Sequence, residues 1–284
     1  MNNPPLSEQT AQQLIARIAI PPRPQILTEI FSALQSDAPD LRALSRLVAS
    51  DVALSAAVLK TVNSPFYGLR RKVESIDQAV GVLGLDNIAT LVTGFMVRNT
   101  LATPKLERFW DSSARIALLS AAIAKQLKNL SPNLAYLFGL FRDCGIPLMA
   151  ARFPDYLETL RAANAEFQRP FTAVEEERHQ TSHAIVGSLL AKNWGLPEPI
   201  CEAIAHHHEL DCFASESLSN MALNLIATAL IAEQIDYRAM RLIENYEWEK
   251  LGNAALEFLL LSEEEYNALC DDLIALLDPS NADT

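Results

Sequence analysis

The chain has 284 residues, of which 50% are hydrophobic and 20% are charged, and its formal net charge is -12 at pH 7. This composition predicts a globular protein with a sizeable core that needs no disulfide or metal to fold. The acidic balance argues against a non-specific nucleic-acid binder, which needs a basic face, and against binding to an anionic membrane surface. A local basic triplet, Arg70, Arg71 and Lys72, is typical of a solvated loop.

The chain carries no recognisable targeting signal. Its first residues, Met1 to Glu8, are polar and contain proline, so they do not match a secretory leader. The longest nearly apolar stretch, Met221 to Ala232, is shorter than the about 20 residues that a membrane helix needs. No two cysteines form a CxxC pair, which indicates small apolar fillers in a reducing compartment. We therefore expect a cytoplasmic protein without a membrane partner.

The first half of the sequence contains a series of residues that typically begin or end helices. The prolines at residues 21–24 separate two helices, because proline is excluded from helix interiors but can open a helix. Asp40 and Asp51 each precede an apolar helical pattern and are predicted N-caps, as is Ser75. Gly84 is predicted to end a helix. Predicted helices of this half include residues 24–34, 76–83 and 87–101.

Helical spacing continues in the second half, which begins at Pro104. Apolar residues at helical spacing from Ile116 to Leu127 predict one helix. The apolar stretch from Leu134 to Cys144 predicts another. No segment alternates in the pattern of a strand. The further predicted helices span about residues 155–166, 171–179, 182–194, 198–208, 218–238 and 262–277, and the tail after residue 277 is predicted to fray.

Taken together, these patterns predict an all-α protein. The most natural division lies near residue 103, which separates an N-terminal helical lobe, residues 1–103, from a C-terminal lobe, residues 104–284. No long flexible linker separates the two lobes, so we expect them to pack together as one rigid body.

Several motifs occur in a fixed order along the chain. The first half contains Pro21-Pro22-Arg23-Pro24, Asp51-Val52-Ala53-Leu54 and Asn63-Ser64-Pro65-Phe66-Tyr67-Gly68. The second half contains Phe109-Trp110-Asp111-Ser112, Gly139-Leu140-Phe141-Arg142-Asp143-Cys144-Gly145, His183-Ala184-Ile185-Val186-Gly187 and Ala203-Ile204-Ala205-His206-His207-His208. Over about residues 14–240, this series resembles the HDOD domain, a helical output domain related to the HD superfamily.

The resemblance implies a fold and a role. The expected fold is the multi-helical HD-domain/PDEase-like fold, in which the N-terminal lobe packs on an HD-like C-terminal lobe. Proteins of this family occur in bacterial signalling and are thought to act through partners. We therefore expect a non-catalytic regulatory module whose partner is an unidentified signalling protein, and not a nucleic acid.

Catalytic relatives in the HD superfamily are metal-dependent phosphohydrolases. Neutral imidazole and carboxylate groups bind their divalent metals, and the metal lowers the pKa of bound water. Three expected ligands are replaced here: a first histidine by a serine, the histidine of the His-Asp pair by an arginine, which cannot donate a lone pair, and a late aspartate by a threonine. We expect no catalytic residue, no cofactor and no metal. The resemblance places this degenerate pocket at Ser112, Arg142, Asp143, His183, His207, His208 and Thr228.

The pair Arg142-Asp143 allows three interpretations. It lies in an apolar segment near a predicted helix end, where the helix dipole disfavours an anion, so Asp143 needs a cationic partner. The pair could be a surface ion pair at a helix end that Gly145 caps. It could be a structural plug, in which Arg142 takes the metal position and neutralises Asp143. It could also belong to a functional ligand or metal site.

The other candidates also have structural interpretations. Residues 206–208 point about 100° apart on a helix, so the three histidines cannot all face one ion, and a solvent-facing helix cap is expected. His183 is expected to be a core or capping histidine, and Thr228 a core residue. The loop aromatics Phe66 and Tyr67 are either a packing plug or a recognition element.

Two alternative functions remain open. One is a metal-dependent phosphohydrolase with atypical ligands, which requires Asp143, His183, His207 and His208 to converge on a divalent metal. The other is a module that binds a nucleotide or another anion, in which Arg142 contacts a phosphate group.

Overall fold

A computed structural model describes residues 17–36, 39–103, 106–240 and 245–277. Within these ranges the chain forms α-helices and short 3-10 segments, and none of the described residues forms a strand. The all-α prediction is therefore confirmed. The helices of the first half are α1 (Gln25–Leu34), α2 (Leu41–Ala49), α3 (Val52–Val62), α4 (Ile76–Leu83) and α5 (Leu85–Leu101). Those of the second half are α6 (Glu107–Leu127), α7 (Pro132–Phe141), α8 (Gly145–Arg152), α9 (Tyr156–Asn164), α10 (Phe171–His179), α11 (His183–Trp194), α12 (Glu198–His206), α13 (Asn220–Ala239), α14 (Tyr246–Phe258) and α15 (Glu263–Leu277).

The predicted N-caps of the first half and its glycine terminator are confirmed, although α5 begins at Leu85 and not at residue 87. The carboxylate of Asp40 accepts hydrogen bonds from two backbone N–H groups of the first turn of α2, and Asp51 accepts one from Leu54 at 2.9 Å. The Ser75 hydroxyl accepts a bond at the start of α4. Gly84 ends α4 with φ +79°, a left-handed conformation that side chains disfavour. These caps satisfy backbone groups that have no partner within the helix.

Some helix boundaries differ from the prediction. α12 ends at His206, two residues earlier than predicted. The sequence patterns also missed α8 and α14, although both are regular helices. α8 begins with a glycine and contains a proline, and such short segments are difficult to separate from loops by propensity alone. The predicted first helix and tail lie mostly outside the described residues.

The core crosses the predicted boundary near residue 103. One continuous apolar cluster contains Leu27 and Ile88 from the first half and Phe141 and Leu190 from the second half, each fully buried. α6 and α7 pack closely against each other, and α6 also packs on α13. The four cysteines are buried and free. Burial of so much apolar surface on both sides of residue 103 joins the halves through side-chain packing.

The proline segment before α1 is held against the end of α11. The indole N–H of Trp194 and the side-chain amide of Asn193 both donate to the carbonyl of Pro21, at 3.1 and 3.2 Å. Arg23 donates in return to the carbonyl of Trp194 at 3.2 Å. Gly195, at φ +76°, has no side chain, and a Cβ there would lie 2.8 Å from the Arg23 guanidinium. These hydrogen bonds fix the start of the described chain on the C-terminal half.

One helical stretch, Pro132–Arg152, is apolar and long enough to cross a membrane by length and composition. It comprises α7, a turn and α8, and 72% of its most apolar window is buried inside the protein. A helix buried to this extent has the environment of a core helix.

Asn63 fastens the loop that follows α3. Its side-chain amide donates to the carbonyls of Leu59 and Val73, and its carbonyl oxygen accepts from the N–H of Val73, each at 2.8 Å. We expect Asn63→Ala to lower the free energy of unfolding by about 2–3 kcal/mol, because three partly buried hydrogen bonds are lost. Asn164→Ala, which removes one exposed bond, is the control and should cost no more than about 0.5 kcal/mol in urea denaturation. Equal effects of the two substitutions would contradict this role.

Candidate functional site

One group of histidine and aspartate side chains converges in the C-terminal half. A donor atom from each member lies within 4.8 Å of the corresponding atoms of the others. The aspartate lies in the turn between α7 and α8, one histidine begins α11, and two histidines follow α12. The histidines are buried, and the aspartate side chain is 17% exposed. The members of this His/Asp cluster are Asp143, His183, His207 and His208.

The end of α12 explains how two successive histidines face one point. The α-helix ends at His206, and His207 is its C-cap, with φ -68° and ψ -11°. His208 lies beyond this C-cap, where the 100° spacing of helix side chains does not have to hold, and the rings of His207 and His208 have centroids 4.0 Å apart. The expected solvent-facing cap is wrong for these two residues, which are buried. His206 remains partly exposed and lies 2.8 Å from Glu209.

Three distances within the His/Asp cluster match those between neighbouring ligands of a single ion. Oδ1 of Asp143 lies 3.3 Å from Nε2 of His183 and 3.3 Å from Nε2 of His207. Nε2 of His183 lies 3.2 Å from Nε2 of His208. Ligands about 2.0–2.1 Å from a tetrahedral zinc ion are separated by about 3.3–3.4 Å. The donor set, three imidazole nitrogens and one carboxylate oxygen, therefore fits a divalent metal.

The outer ring nitrogens are also held by hydrogen bonds. Nδ1 of His183 lies 2.8 Å from a carboxylate oxygen of Glu175, and Nδ1 of His208 lies 2.6 Å from one of Glu247. Nδ1 of His207 bonds to a backbone carbonyl at 2.9 Å. Histidines that bind metals usually donate the other ring N–H to such acceptors, which fixes the ring and its tautomer. All three rings therefore present Nε2 to the same point.

The charges of the His/Asp cluster compensate one another. Burial lowers the pKa of His183, but the carboxylates of Glu175 and Asp143 outweigh burial and raise this pKa to about 10. Burial and the neighbouring His207 lower the pKa of His208 to about 4. Burial raises the pKa of Asp143, but Arg142 and the histidines hold it well below its ordinary value. Without a metal, His183 is therefore an imidazolium between the carboxylates of Glu175 and Asp143.

Arg142 is buried and lies between two carboxylates. Its Nε is 3.1 Å from Oδ2 of Asp143, and its two terminal nitrogens donate to the two oxygens of Glu233 at 3.0 and 2.8 Å. The guanidinium side chain is only 8% exposed. The interpretation as a surface ion pair is therefore wrong. Gly145 does not cap the pair, since it begins α8.

The structure places Ser112 and Thr228 outside the His/Asp cluster. Ser112 reaches the edge of the pocket, but its hydroxyl donates to Asp236 at 2.7 Å, and Asp236 is also paired with Arg115. Thr228 is fully buried on α13 and lies 3.4 Å from the amide of Asn129, away from the His/Asp cluster. Of the seven candidates, the structure brings together Arg142 and the four members of the cluster, with Ser112 beside them.

Three carboxylates around the cluster were not singled out from the sequence. They are Glu175, Glu233 and Glu247, which contact His183, Arg142 and His208. The sequence does contain a signal for Glu233. It is one of only two acidic residues, with Asp236, in the mostly apolar helix α13. Buried acidic groups need cationic partners, so the pairing of Glu233 with a cation in the apolar α7 segment was predictable in kind.

A cavity of about 350 Å³ lies beside the cluster. Arg142, Asp143, Glu233 and Glu247 supply its charged lining. Two N–H groups of Arg142 already donate to Glu233, and its Nε lies 3.1 Å from Asp143, so the guanidinium is largely neutralised. A phosphate group entering this cavity would face more carboxylates than cations. Its apolar lining includes Phe109, Ile116, Ile146 and Phe171.

Comparison with known proteins identifies the family. A family model described as the HDOD domain matches residues 20–210. A curated protein of Treponema pallidum (strain Nichols), named only as uncharacterized, is 29% identical over 194 residues, which cover 67% of this chain and 38% of that protein. The matching region therefore spans well under half of the length of this relative.

Solved structures share the fold over nearly the whole chain. An HDOD domain protein of unknown function from Geobacter sulfurreducens is 25% identical, with a TM-score of 0.69 and coverage of 95% of this chain and 96% of that chain. A protein of Shewanella amazonensis SB2B, named as a candidate phosphohydrolase, is 23% identical, with a TM-score of 0.70 and coverage of 93% of both chains. The HD-like fold is therefore confirmed, and since the family model matches most of the sequence, the chain belongs to the HDOD family.

Proposed function

We propose that this chain is a non-catalytic regulatory module that transmits a signal through contacts with another protein. The observation that carries the proposal is the position of Arg142, which is buried between Asp143 and Glu233 beside the His/Asp cluster. Membership of a family associated with bacterial signalling supports the regulatory role. The partner expected under this proposal is a signalling protein.

Hydrolysis would require features that the site lacks among the described residues. A catalytic metal must keep an open coordination position for the attacking water. Four protein donors already surround one point in the His/Asp cluster, which is the donor number of a closed zinc site. A second ion next to Asp143 would meet the guanidinium of Arg142, which repels a cation and offers no lone pair. The hydroxyl of Ser112 is engaged with Asp236.

The same geometry favours a second candidate function, a closed structural metal site. The four members of the His/Asp cluster would hold one divalent ion, most suitably zinc, because zinc takes sets of four donors that are rich in imidazole. A bound ion would supply positive charge that joins the α7–α8 turn, the start of α11 and the end of α12. Glu175 and Glu247 would keep the imidazole rings oriented.

The site is poorly suited to an anionic ligand such as a nucleotide. Nucleotide binding would require Arg142 to contact a phosphate, but this guanidinium already donates two hydrogen bonds to Glu233 and forms an ion pair with Asp143. A phosphate would have to displace a carboxylate that is held inside the same pocket. We therefore do not favour nucleotide binding at this site.

Two measurements on the untagged full chain, purified without chelator, test the two candidates. We expect no turnover of a phosphodiester such as bis(p-nitrophenyl) phosphate with added Mg²⁺, Mn²⁺ or Zn²⁺. Turnover that Asp143→Asn abolishes would refute the non-catalytic proposal. Elemental analysis decides the second candidate: about one equivalent of zinc that is lost in His183→Ala supports it, and less than about a tenth of an equivalent refutes it. His206→Ala is the control, since His206 lies outside the cluster.

A further inference from the structure

A second cavity lies where the two halves of the chain meet, away from the His/Asp cluster. It encloses about 220 Å³, which is below the roughly 300–1,000 Å³ of pockets for drug-sized ligands, so it suits a small molecule. The 3-10 segment Pro65–Tyr67, α4 and α5 form one side of the cavity, and α6 and α7 form the other. A ligand there would contact both halves.

The apolar wall of this cavity comes from the loop aromatic Phe66 and from Val82 and Leu83 of α4. Phe66 also packs edge-on against Tyr67, with ring centroids 5.0 Å apart, which fixes the wall in place. Val82 is 55% exposed, so the cavity is open to solvent along this side. The loop pair that the sequence singled out therefore does more than fill the core, because it lines an accessible space.

Two phenols face the cavity without a protein partner. Tyr67 and Tyr136 both line it, and neither hydroxyl is hydrogen-bonded to any residue in the part of the chain that the structure describes. Burial raises the pKa of Tyr67 to about 12 and also raises that of Tyr136, so both hydroxyls stay protonated and can donate. Largely buried tyrosine hydroxyls usually find an acceptor. The cavity therefore offers two donors for an acceptor that the protein does not supply.

The charges around this cavity determine which kind of hydrogen-bond acceptor it favours. Among the described residues that line the cavity, Lys125 alone carries a formal charge, in a protein whose net charge is -12. α7 begins at the cavity with Pro132 and Asn133, and its N-cap, Ser131, makes no side-chain capping bond. The positive end of the helix dipole adds to the field of Lys125. Both contributions favour an anion over a neutral acceptor.

We propose that this cavity binds a small organic monoanion, whose carboxylate accepts hydrogen bonds from Tyr67, Tyr136 and Lys125 while its apolar body packs against Phe66 and Leu83. The lining suits an aryl-substituted carboxylate of about ten heavy atoms, given the volume of the cavity. Because both halves contribute to the cavity, binding stabilises their junction and supplies a chemical input to the module. This site is separate from the His/Asp cluster, and its test does not depend on metal or catalysis.

Phenylacetate is a suitable probe, and phenylacetamide is its neutral counterpart of nearly the same shape. By calorimetric titration of the full chain, we expect phenylacetate to bind with a dissociation constant on the order of 1 mM and phenylacetamide to bind at least about tenfold more weakly. Lys125→Met and Tyr136→Phe should each weaken phenylacetate binding about tenfold, the loss expected for one charge-assisted hydrogen bond. Lys60→Met removes an exposed lysine of α3 and should leave binding unchanged.

Three results would overturn the proposal. The first is no detectable binding of phenylacetate at about 10 mM, tenfold above the expected constant. The second is equal binding of phenylacetamide, which would remove the argument for an anion. The third is unchanged binding in both Lys125→Met and Tyr136→Phe with native circular dichroism, which would place the ligand elsewhere.

Discussion

Replacement of Arg142 by alanine is expected to lower the free energy of unfolding by about 3–5 kcal/mol, the usual cost of removing one partner from a buried ion pair. Asp143 and Glu233 would then face each other across the cavity edge without the guanidinium that separates them, and each side chain is only 17% exposed. The loss is measured by urea denaturation followed by circular dichroism.

The exposed pair Arg98 and Asp111 provides the control. Their nitrogen and oxygen lie 3.2 Å apart, but the side chains are 48% and 58% exposed. Arg98→Ala should cost at most about 1 kcal/mol, because solvent screens an exposed pair. The double variant Arg142→Met with Glu233→Met should recover much of the lost stability, since it removes the unpaired carboxylate together with the cation. A cost for Arg142→Ala as small as that for Arg98→Ala would contradict the structure.

Gly145→Ala should also destabilise the protein strongly, by about 3 kcal/mol. α8 and α11 pack so closely at Gly145 that an added methyl group would overlap the carbonyl of His183 and lie 2.9 Å from the nitrogen of Gly187. Both of these atoms belong to the backbone, so no side chain can rotate away to make room. α8 must therefore separate from α11, which also moves His183 relative to Asp143. Chemical denaturation measures the loss.

Gly81→Ala is the matched control for this prediction. Gly81 lies within α4, and nothing lies within 4 Å of the position that its Cβ would take. Alanine there should stabilise the protein by about 0.5–1 kcal/mol, because it reduces the backbone entropy of the unfolded chain. If Gly145→Ala proved neutral, the close approach of α8 and α11 would not exist in solution.

The helix ends of the first half were predictable because the interactions that set them are local. Asp40, Asp51 and Ser75 each bond to backbone N–H groups within the next three residues, and Gly84 takes a left-handed conformation by itself. Residue type and position therefore determine these ends with little help from the rest of the chain. The same reasoning predicted the all-α class.

The arrangement around the cluster depends on contacts between distant parts of the chain. Arg142 meets Glu233 across 91 residues, and His208 meets Glu247 across 39 residues. Periodicity within one helix carries no information about such pairs. The convergence of His207 and His208 was missed for a different reason, since it depends on α12 ending at His206, and helix ends are uncertain by a few residues in a sequence-based prediction.

The position expected for the late aspartate shows that a motif alone does not determine which side chain faces the site. Thr228 was placed in the pocket from its position in the sequence, but it is fully buried and contacts Asn129 instead. On the same helix, Glu233 and Asp236 carry the carboxylates near the pocket, five and eight residues later along the chain. A helix face turns through a full circle in about 3.6 residues, so a small error in alignment changes which side chain faces the site.

Arg142 has a consequence for how the protein responds to its surroundings. A bound metal can be removed by a chelator or become scarce when the supply of the ion falls, whereas a guanidinium is covalently part of the chain and stays charged at every physiological pH. The positive charge between Asp143 and Glu233 is therefore permanent. The contacts of Arg142 with Asp143 and Glu233 therefore do not depend on the concentration of divalent ions, and metal starvation does not remove this positive charge.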